Sequence, residues 1–160
     1  MRVRMLASTL VVGALFIPAL HASTRTRSAL VQLTPIAVDA NRWEVDGPAS
    51  AAIDGDFYTP WRGNGVGAHL TLDLGASKTI TQLRIAFYNG NARVYGFQIQ
   101  SSPDGERYTS AGSFISSGTT STLETFDIDV SGRYLRIFGW GNDVNRDNAY
   151  NEVQAYAREP

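Results

Sequence analysis

From position 70 to position 156 the chain keeps switching between apolar and polar residues with a period of two. Leu70, Leu72 and Leu74 are separated by Thr71 and Asp73, Leu83, Ile85 and Phe87 by Arg84 and Ala86, and Tyr95, Phe97 and Ile99 by Gly96 and Gln98. A strand turns successive side chains to opposite faces, so this spacing predicts strands with one face on a core. Residues 108–115, 123–130 and 134–140 predict three more strands, and 150–156 a last one. Upstream, residues 31–38 carry Leu33, Ile36 and Val38 and predict the first. Residues 41–50 contain Gly47-Pro48 and read as loop, 49–53 as a brief helical turn, and Asp104-Gly105 as a hairpin turn. No stretch keeps a helical spacing, and no solenoid period is visible. About eight short antiparallel strands in one domain predict an all-β fold, a two-sheet jelly-roll β-sandwich.

The first residues change the picture only at the start. Arg2 and Arg4 precede an apolar run, Leu6 to Leu20, and Leu20-His21-Ala22 offers a cleavage point before Ser23. That pattern reads residues 1–22 as a signal peptide. The run is short for a membrane span and no second one follows. Residues 23–32 then read as a flexible lead-in and 33–158 as the domain. The expected location is secreted or periplasmic.

Composition narrows the chemistry. The whole chain has 14 basic and 15 acidic residues. Without the two arginines of the leader, 12 face 15, a balance of about −3. With no basic cluster, nucleic acid is not an expected partner. There is no cysteine, and once the leader is set aside His69 is the one histidine left. Cys-His sites, Ser-His-Asp triads and multi-histidine zinc sites are therefore excluded. The carboxylate pairs Asp54/Asp56 and Asp127/Asp129 are more simply read as a loop and an exposed strand face than as a glycosidase pair.

One loop stands out, residues 51–61, with the sequence AAIDGDFYTPW. A hard cation such as calcium takes several oxygens from a flexible loop. Asp54 can supply a carboxylate, and Ala51, Asp56 and Thr59 main-chain carbonyls, with the Thr59 hydroxyl in addition. Asn151-Glu152, far along the chain, can add a carbonyl and a carboxylate. The same Asp-Gly-Asp also reads as a plain turn in which aspartate bonds its own backbone.

Here the sequence resembles a known family. Asp54-Gly55-Asp56 with Thr59 and Trp61 is similar to the signature of discoidin domains, also called factor V/VIII type C domains. The resemblance is strongest to their sugar-binding branch, carbohydrate-binding module family 32, and within it to modules found with alginate lyases. It continues through Leu72-Asp73-Leu74-Gly75, Phe87-Tyr88-Asn89-Gly90, Arg93, Phe97-Gln98-Ile99 and Ser102-Pro103-Asp104-Gly105. It ends with Arg133 to Ile137, Gly141-Asn142 and Asn151-Glu152-Val153, covering nearly all of the chain after Leu33. The resemblance implies the jelly-roll fold and a calcium ion that is structural, pinning loops rather than doing chemistry.

Binding a soluble sugar takes an aromatic face for the C–H surface of the ring and planar polar groups for its hydroxyls; an arginine fork suits a carboxylate. Tyr88, Asn89 and Arg93 lie between two predicted strands. Trp140 and Asn142 follow another and read as loop, where the lyase-linked relatives often carry histidine in place of Trp140. These five are the candidate ligand-binding residues. Each has a duller reading: Arg93 can fasten a hairpin to a carboxylate, and Asn89 and Asn142 can simply make turns. Residues 61–65 also read as loop, with Trp61 as a cap on the core, and Arg136 reads as structural. The expected function is a monomeric, non-catalytic module recognising an acidic or galactose-type polysaccharide or oligosaccharide. The competing readings are a small polysaccharide lyase or accessory fragment, and a cell-surface adhesion module.

Overall fold

The computed structural model describes residues 29–158. The expected leader, residues 1–22, lies outside them. Eight strands follow one another: β1 Leu30–Leu33, β2 Ala37–Ala40, β3 Trp61–Gly63, β4 His69–Phe87, β5 Tyr95–Ser102, β6 Thr109–Ile115, β7 Glu124–Asn142 and β8 Asn148–Arg158. All paired strands are antiparallel. A 3-10 turn at Ala49–Ile53 is the expected helical turn before the aspartate loop.

The strands differ from the expectation in instructive ways. The first predicted strand is two, because Thr34-Pro35 interrupts it: proline has no N–H to give a ladder. Pairing also begins earlier, since Leu30 to Leu33 lie against Arg158 to Ala155. The lead-in therefore ends before Leu30, not at residue 32. Trp61–Gly63, expected as loop, is a strand paired with β8, with Trp61 opposite Tyr150. The strand predicted over 134–140 runs on through Gly141 and Asn142, expected as loop, to the end of β7.

The largest difference concerns the two sheets. The ladders join all strands into one sheet, with β1-β8-β4-β7-β5-β6 as its spine. It forms two layers because β4 and β7, 19 residues each, pass from one layer to the other. The first half of β4 lies between β2 and the second half of β7, which in turn pairs with β5. The second half of β4 pairs with β8 and with the first half of β7. Between Asp73 and Lys78 the β4–β7 register shifts, and there Gly75 adopts φ +76°, the left-handed region that glycine enters without strain. Such irregularities bend a strand and raise its twist, which lets one strand serve both layers.

Aromatic side chains fill the space between the layers. Phe87 of β4 stacks on Tyr95 of β5 at 5.1 Å, and Phe126 of β7 meets Phe97 edge-on at 5.0 Å and Phe114 at 5.7 Å. Each fully buried ring of this kind stabilises by roughly 1.5–3 kcal/mol. Trp61 is completely buried, as its reading as a core cap expects, and its indole N–H donates to the Arg42 carbonyl at 3.1 Å. The core thus fixes the strand ends, and with them the loops described next.

Candidate functional site

Residues 54–59 form a tight loop organised by its own aspartates. The Asp56 N–H donates to Asp54 Oδ1 at 2.8 Å, and the Tyr58 N–H to Asp56 Oδ1 at 2.9 Å. The Thr59 hydroxyl donates to Asp54 Oδ2 at 3.0 Å and lies 3.3 Å from the Asp56 carbonyl. The plain-turn reading is therefore realised. The remote partners arrive as well. The Gly55 N–H donates to Glu152 Oε2 at 3.1 Å, and Asn151 Nδ2 donates to the Phe57 carbonyl at 2.8 Å. Two segments almost a hundred residues apart meet here, and Ala51, in the preceding 3-10 turn, is buried beside them.

The electrostatics of this knot are lopsided. Glu152 is only 4 % exposed. Burial pushes its carboxyl above the usual carboxylate range, and the neighbouring charge of Asp54 pushes the same way, against the hydrogen bonds from Gly55 and Gln154. Asn151 Oδ1 is buried with no hydrogen-bond partner. Two crowded carboxylates and an orphaned amide oxygen are a donor set that suits a hard cation. Among the described residues no three Asp, Glu or His side chains gather in one place. An ion here would thus lean on main-chain carbonyls and the Thr59 hydroxyl.

The next cluster centres on Tyr88, at the end of β4. The buried Tyr95 hydroxyl donates to the Tyr88 carbonyl at 2.7 Å and fixes the turn from below. Burial raises the Tyr95 phenol, and the Arg93 guanidinium partly offsets it. Asn89 is exposed with φ +50°, so it makes the left-handed turn that the Asn-Gly pair favours. Two guanidiniums lie against the Tyr88 ring: Arg62 with Cζ 4.8 Å from its centroid and Arg93 at 5.6 Å. Among the described residues Arg93 has no carboxylate within 4.0 Å, so the hairpin-fastening reading does not hold. Arg62 reaches Asp46 at 4.0 Å, and its Nε is buried without a partner. Tyr88, Arg62 and Arg93 line a small cavity with Glu44 and Asp147. On its other side Tyr88 borders a wider groove between the aspartate loop and residues 121–123, shared with Tyr58, Asn89 and Asn91.

The two remaining candidates do not join this cluster. Asn142 gives both amide hydrogens to Asn145 Oδ1 and the Asp147 carbonyl, at 2.7 and 2.8 Å, and its Oδ1 accepts from the N–H groups of Val144 and Asn145. No donor is left for a ligand, so Asn142 organises its loop. Trp140, 41 % exposed, lies on the outer face of β7 with its ring over Gly96, away from the Tyr88 cavity. Sequence reasoning missed Arg62, Glu44 and Asp147. It also missed that the 41–48 loop reaches the cavity through Glu44, whose neighbours Trp43 and Val45 are strongly exposed. The Glu44 N–H bonds the Arg62 carbonyl and the Arg62 N–H the Gly47 carbonyl, which ties this loop to β3. Only after Arg62 is known to lie on a strand does its outward side chain become predictable.

Residues 32–153 match the family model for the F5/8 type C domain. The chain is an F5/8 type C domain. Among solved structures, the CBM32 of AlyQ in complex with 4,5-unsaturated mannuronic acid is 37 % identical, with a TM-score of 0.76 over 78 % of this chain and 97 % of that one. This F5/8 type C domain is accordingly of the family 32 carbohydrate-binding type. A truncated AlyQ with CBM32 and alginate lyase domains is 35 % identical, with a TM-score of 0.79 over 83 % of this chain; the match spans 34 % of that two-part protein. A pectin-binding carbohydrate-binding module, 24 % identical with a TM-score of 0.73 over 77 % of this chain and 91 % of that one, shares the fold. A search of curated protein sequences gave no match.

Proposed function

We propose that this domain is an exported, non-catalytic module that holds an acidic sugar against Tyr88, with the sugar's carboxylate at the small cavity lined by Arg62 and Arg93. The single observation that carries the reading is Arg93, whose guanidinium lies against the Tyr88 ring with no carboxylate among the described residues within ion-pairing distance. A uronate carboxylate supplies the missing partner, and a guanidinium receives it with two parallel hydrogen bonds. The Tyr88 ring offers a face for the sugar's C–H surface. Glu44 and Asp147, which also line the cavity, accept hydroxyl protons and steer the ligand's own carboxylate toward the arginines. The 37 % identical AlyQ module, solved with an unsaturated mannuronic acid, supports the same substrate class.

Calcium is part of this proposal as a structural ion. Asp54 and Glu152 would hold it with the Thr59 hydroxyl and carbonyls from Ala51, Asp56 and Asn151. The ion supplies positive charge between two carboxylates that otherwise repel. The chain's own residues do the rest: the Asp54 and Asp56 turns shape the loop, and Asn151 ties it to β8.

Titration of the protein with alginate oligosaccharides and with neutral galactose oligosaccharides tests the reading. We expect saturable binding to the former, in the roughly micromolar to millimolar range of a shallow polar site, and weaker binding to the latter. No binding of the alginate oligosaccharides, or alginate binding that Arg93→Ala leaves unchanged, contradicts it.

A further inference from the structure

Trp140 is the candidate residue that the Tyr88 cavity leaves unused. Along the second half of β7 buried and half-exposed residues alternate, and the outward ones are Tyr134, Arg136, Phe138 and Trp140. Every one carries a planar group. Neighbours in this row are two residues apart along a strand, about 6.6 Å, so the row runs for about 20 Å. That is long enough for several sugar rings in a chain.

Side chains of the adjoining strands and loops pack against this row. A Cβ on Gly96 of β5 would lie 3.3 Å from the Trp140 ring, so the missing side chain is what lets the indole lie down on the sheet. His69 of β4 stacks on Phe138, with centroids 6.1 Å apart and the planes 14° from parallel. Gln98 and Gln100 of β5 stand opposite Phe138 and Arg136, joined by a 2.6 Å hydrogen bond. The Arg136 guanidinium lies 3.4 Å above the Tyr108 ring, and its Nε donates to the Thr71 hydroxyl at 3.2 Å. At the Tyr134 end the surface deepens into a cleft whose walls are β2, with Asp39, and the 104–108 loop, with Glu106.

We propose that this row is a second glycan-binding face, separate from the Tyr88 cavity, and that it takes a neutral polysaccharide chain lying along β7. Trp140, 41 % exposed, and the Tyr108 ring that lies over the Arg136 guanidinium offer faces to the C–H surfaces of sugar rings, while the glutamines and carboxylates around them read hydroxyls. Charge decides against a polyuronate. Arg133 is taken by Asp73 through two bonds of 2.8 Å, which leaves Arg136 facing Asp39 and Glu106. Such a set repels a polyanion as much as it attracts one. This face shares none of its residues with the Tyr88 cavity.

Native electrophoresis of the full chain, in gels containing galactan, galactomannan or xyloglucan and in a separate alginate gel, tests this. Retardation is expected in at least one neutral gel, with the Kd raised about tenfold, or 1.4 kcal/mol, by Trp140→Ala. Tyr108→Leu, at the half-buried ring that lies over Arg136, is expected to act in the same direction and serves if Trp140→Ala melts early. Arg93→Ala should leave the neutral retardation unchanged and weaken only retention by alginate. Three results overturn the proposal: no retardation in any neutral gel, retardation that survives both face variants, or sedimentation in which Trp140→Ala converts a dimer to a monomer, which makes the face a contact between copies.

Discussion

The main-chain N–H of Gly55 donates to the Glu152 carboxylate at 3.1 Å, across 97 positions of sequence. This contact fastens the aspartate loop near the start of the domain to β8 at its end. Because Asp54 lies beside it, the fastening also brings two negative groups together in a partly buried place. Calcium is expected to relieve that conflict. A ligand present at about 100 times its Kd stabilises by about 2.7 kcal/mol. Calcium chloride should therefore raise the melting temperature by several degrees, and chelation should reverse the shift. Glu152→Gln should abolish most of the response. Differential scanning calorimetry with and without chelator measures it, and a response of wild-type size in Glu152→Gln would show that the ion sits elsewhere.

Glu152 also predicts a pH dependence in the chelated protein. Its carboxyl is raised in the folded state, so between the unfolded and folded values the folded chain binds the extra proton. Stability must then fall as pH rises through that window, which opens at the ordinary carboxylate pKa and extends upward. Asp73 and Asp104 are lowered, Asp73 chiefly by its Arg133 hydrogen bond and Asp104 by main-chain N–H groups. Their contributions are lost only as pH falls below the ordinary range. The difference in denaturant stability between wild type and Glu152→Gln, measured across pH 4 to 8, isolates the Glu152 contribution. A difference that does not change with pH would exclude it.

Two buried side chains should respond in opposite directions. Asn148 is completely buried; its Oδ1 accepts from the Gly141 N–H at 2.8 Å and its Nδ2 donates to the Gly65 carbonyl at 3.0 Å. Asn148→Ala leaves those groups unpaired and should cost about 2 kcal/mol or more. Tyr150 is buried as well, but its hydroxyl has no partner. Removing an unsatisfied hydroxyl while keeping the ring should stabilise, so Tyr150→Phe is expected to gain about 1 kcal/mol. Urea denaturation of both variants checks the pair, and a loss of stability in Tyr150→Phe would mean that a partner exists.

At the sugar cavity, Tyr88 separates ring from hydroxyl. Tyr88→Phe keeps the face that Arg62 and Arg93 lie against and should bind acidic oligosaccharide nearly as wild type does. Tyr88→Ala removes the face and should raise the Kd about tenfold, since aromatic contacts of this kind contribute about 1 kcal/mol beyond area burial. Calorimetric titration of the two variants distinguishes them; equal losses would assign the role to the hydroxyl.

Much of this was legible in the sequence because strand alternation is a local signal. The inward residues Leu70, Leu72, Leu83, Ile85, Phe97 and Ile99 are all buried as their period requires. The meeting of residues 54–59 with Asn151-Glu152 was legible through the ordered family pattern, not through spacing alone. What stayed hidden depends on register. Whether two predicted strands are one bent strand turns on the shift near Gly75, and no periodicity reports that. Arg62 looked like loop because three-residue strands carry too little alternation to be seen. Trp140 and Asn142 are neighbours in the chain, yet one faces the outer sheet and the other closes a loop. That division became visible only with the β5–β7 pairing in place.

Calorimetric titration of alginate oligosaccharides into wild type and Arg93→Ala, at low and high salt, tests the acidic-sugar site most directly. A charge-assisted hydrogen-bond pair contributes about 1.5–3 kcal/mol. Arg93→Ala should accordingly raise the Kd by about tenfold to a hundredfold, and the wild type should lose affinity with added salt more steeply than the variant does. Equal affinity and equal salt dependence in the two proteins would contradict the assignment of an acidic sugar to this cavity.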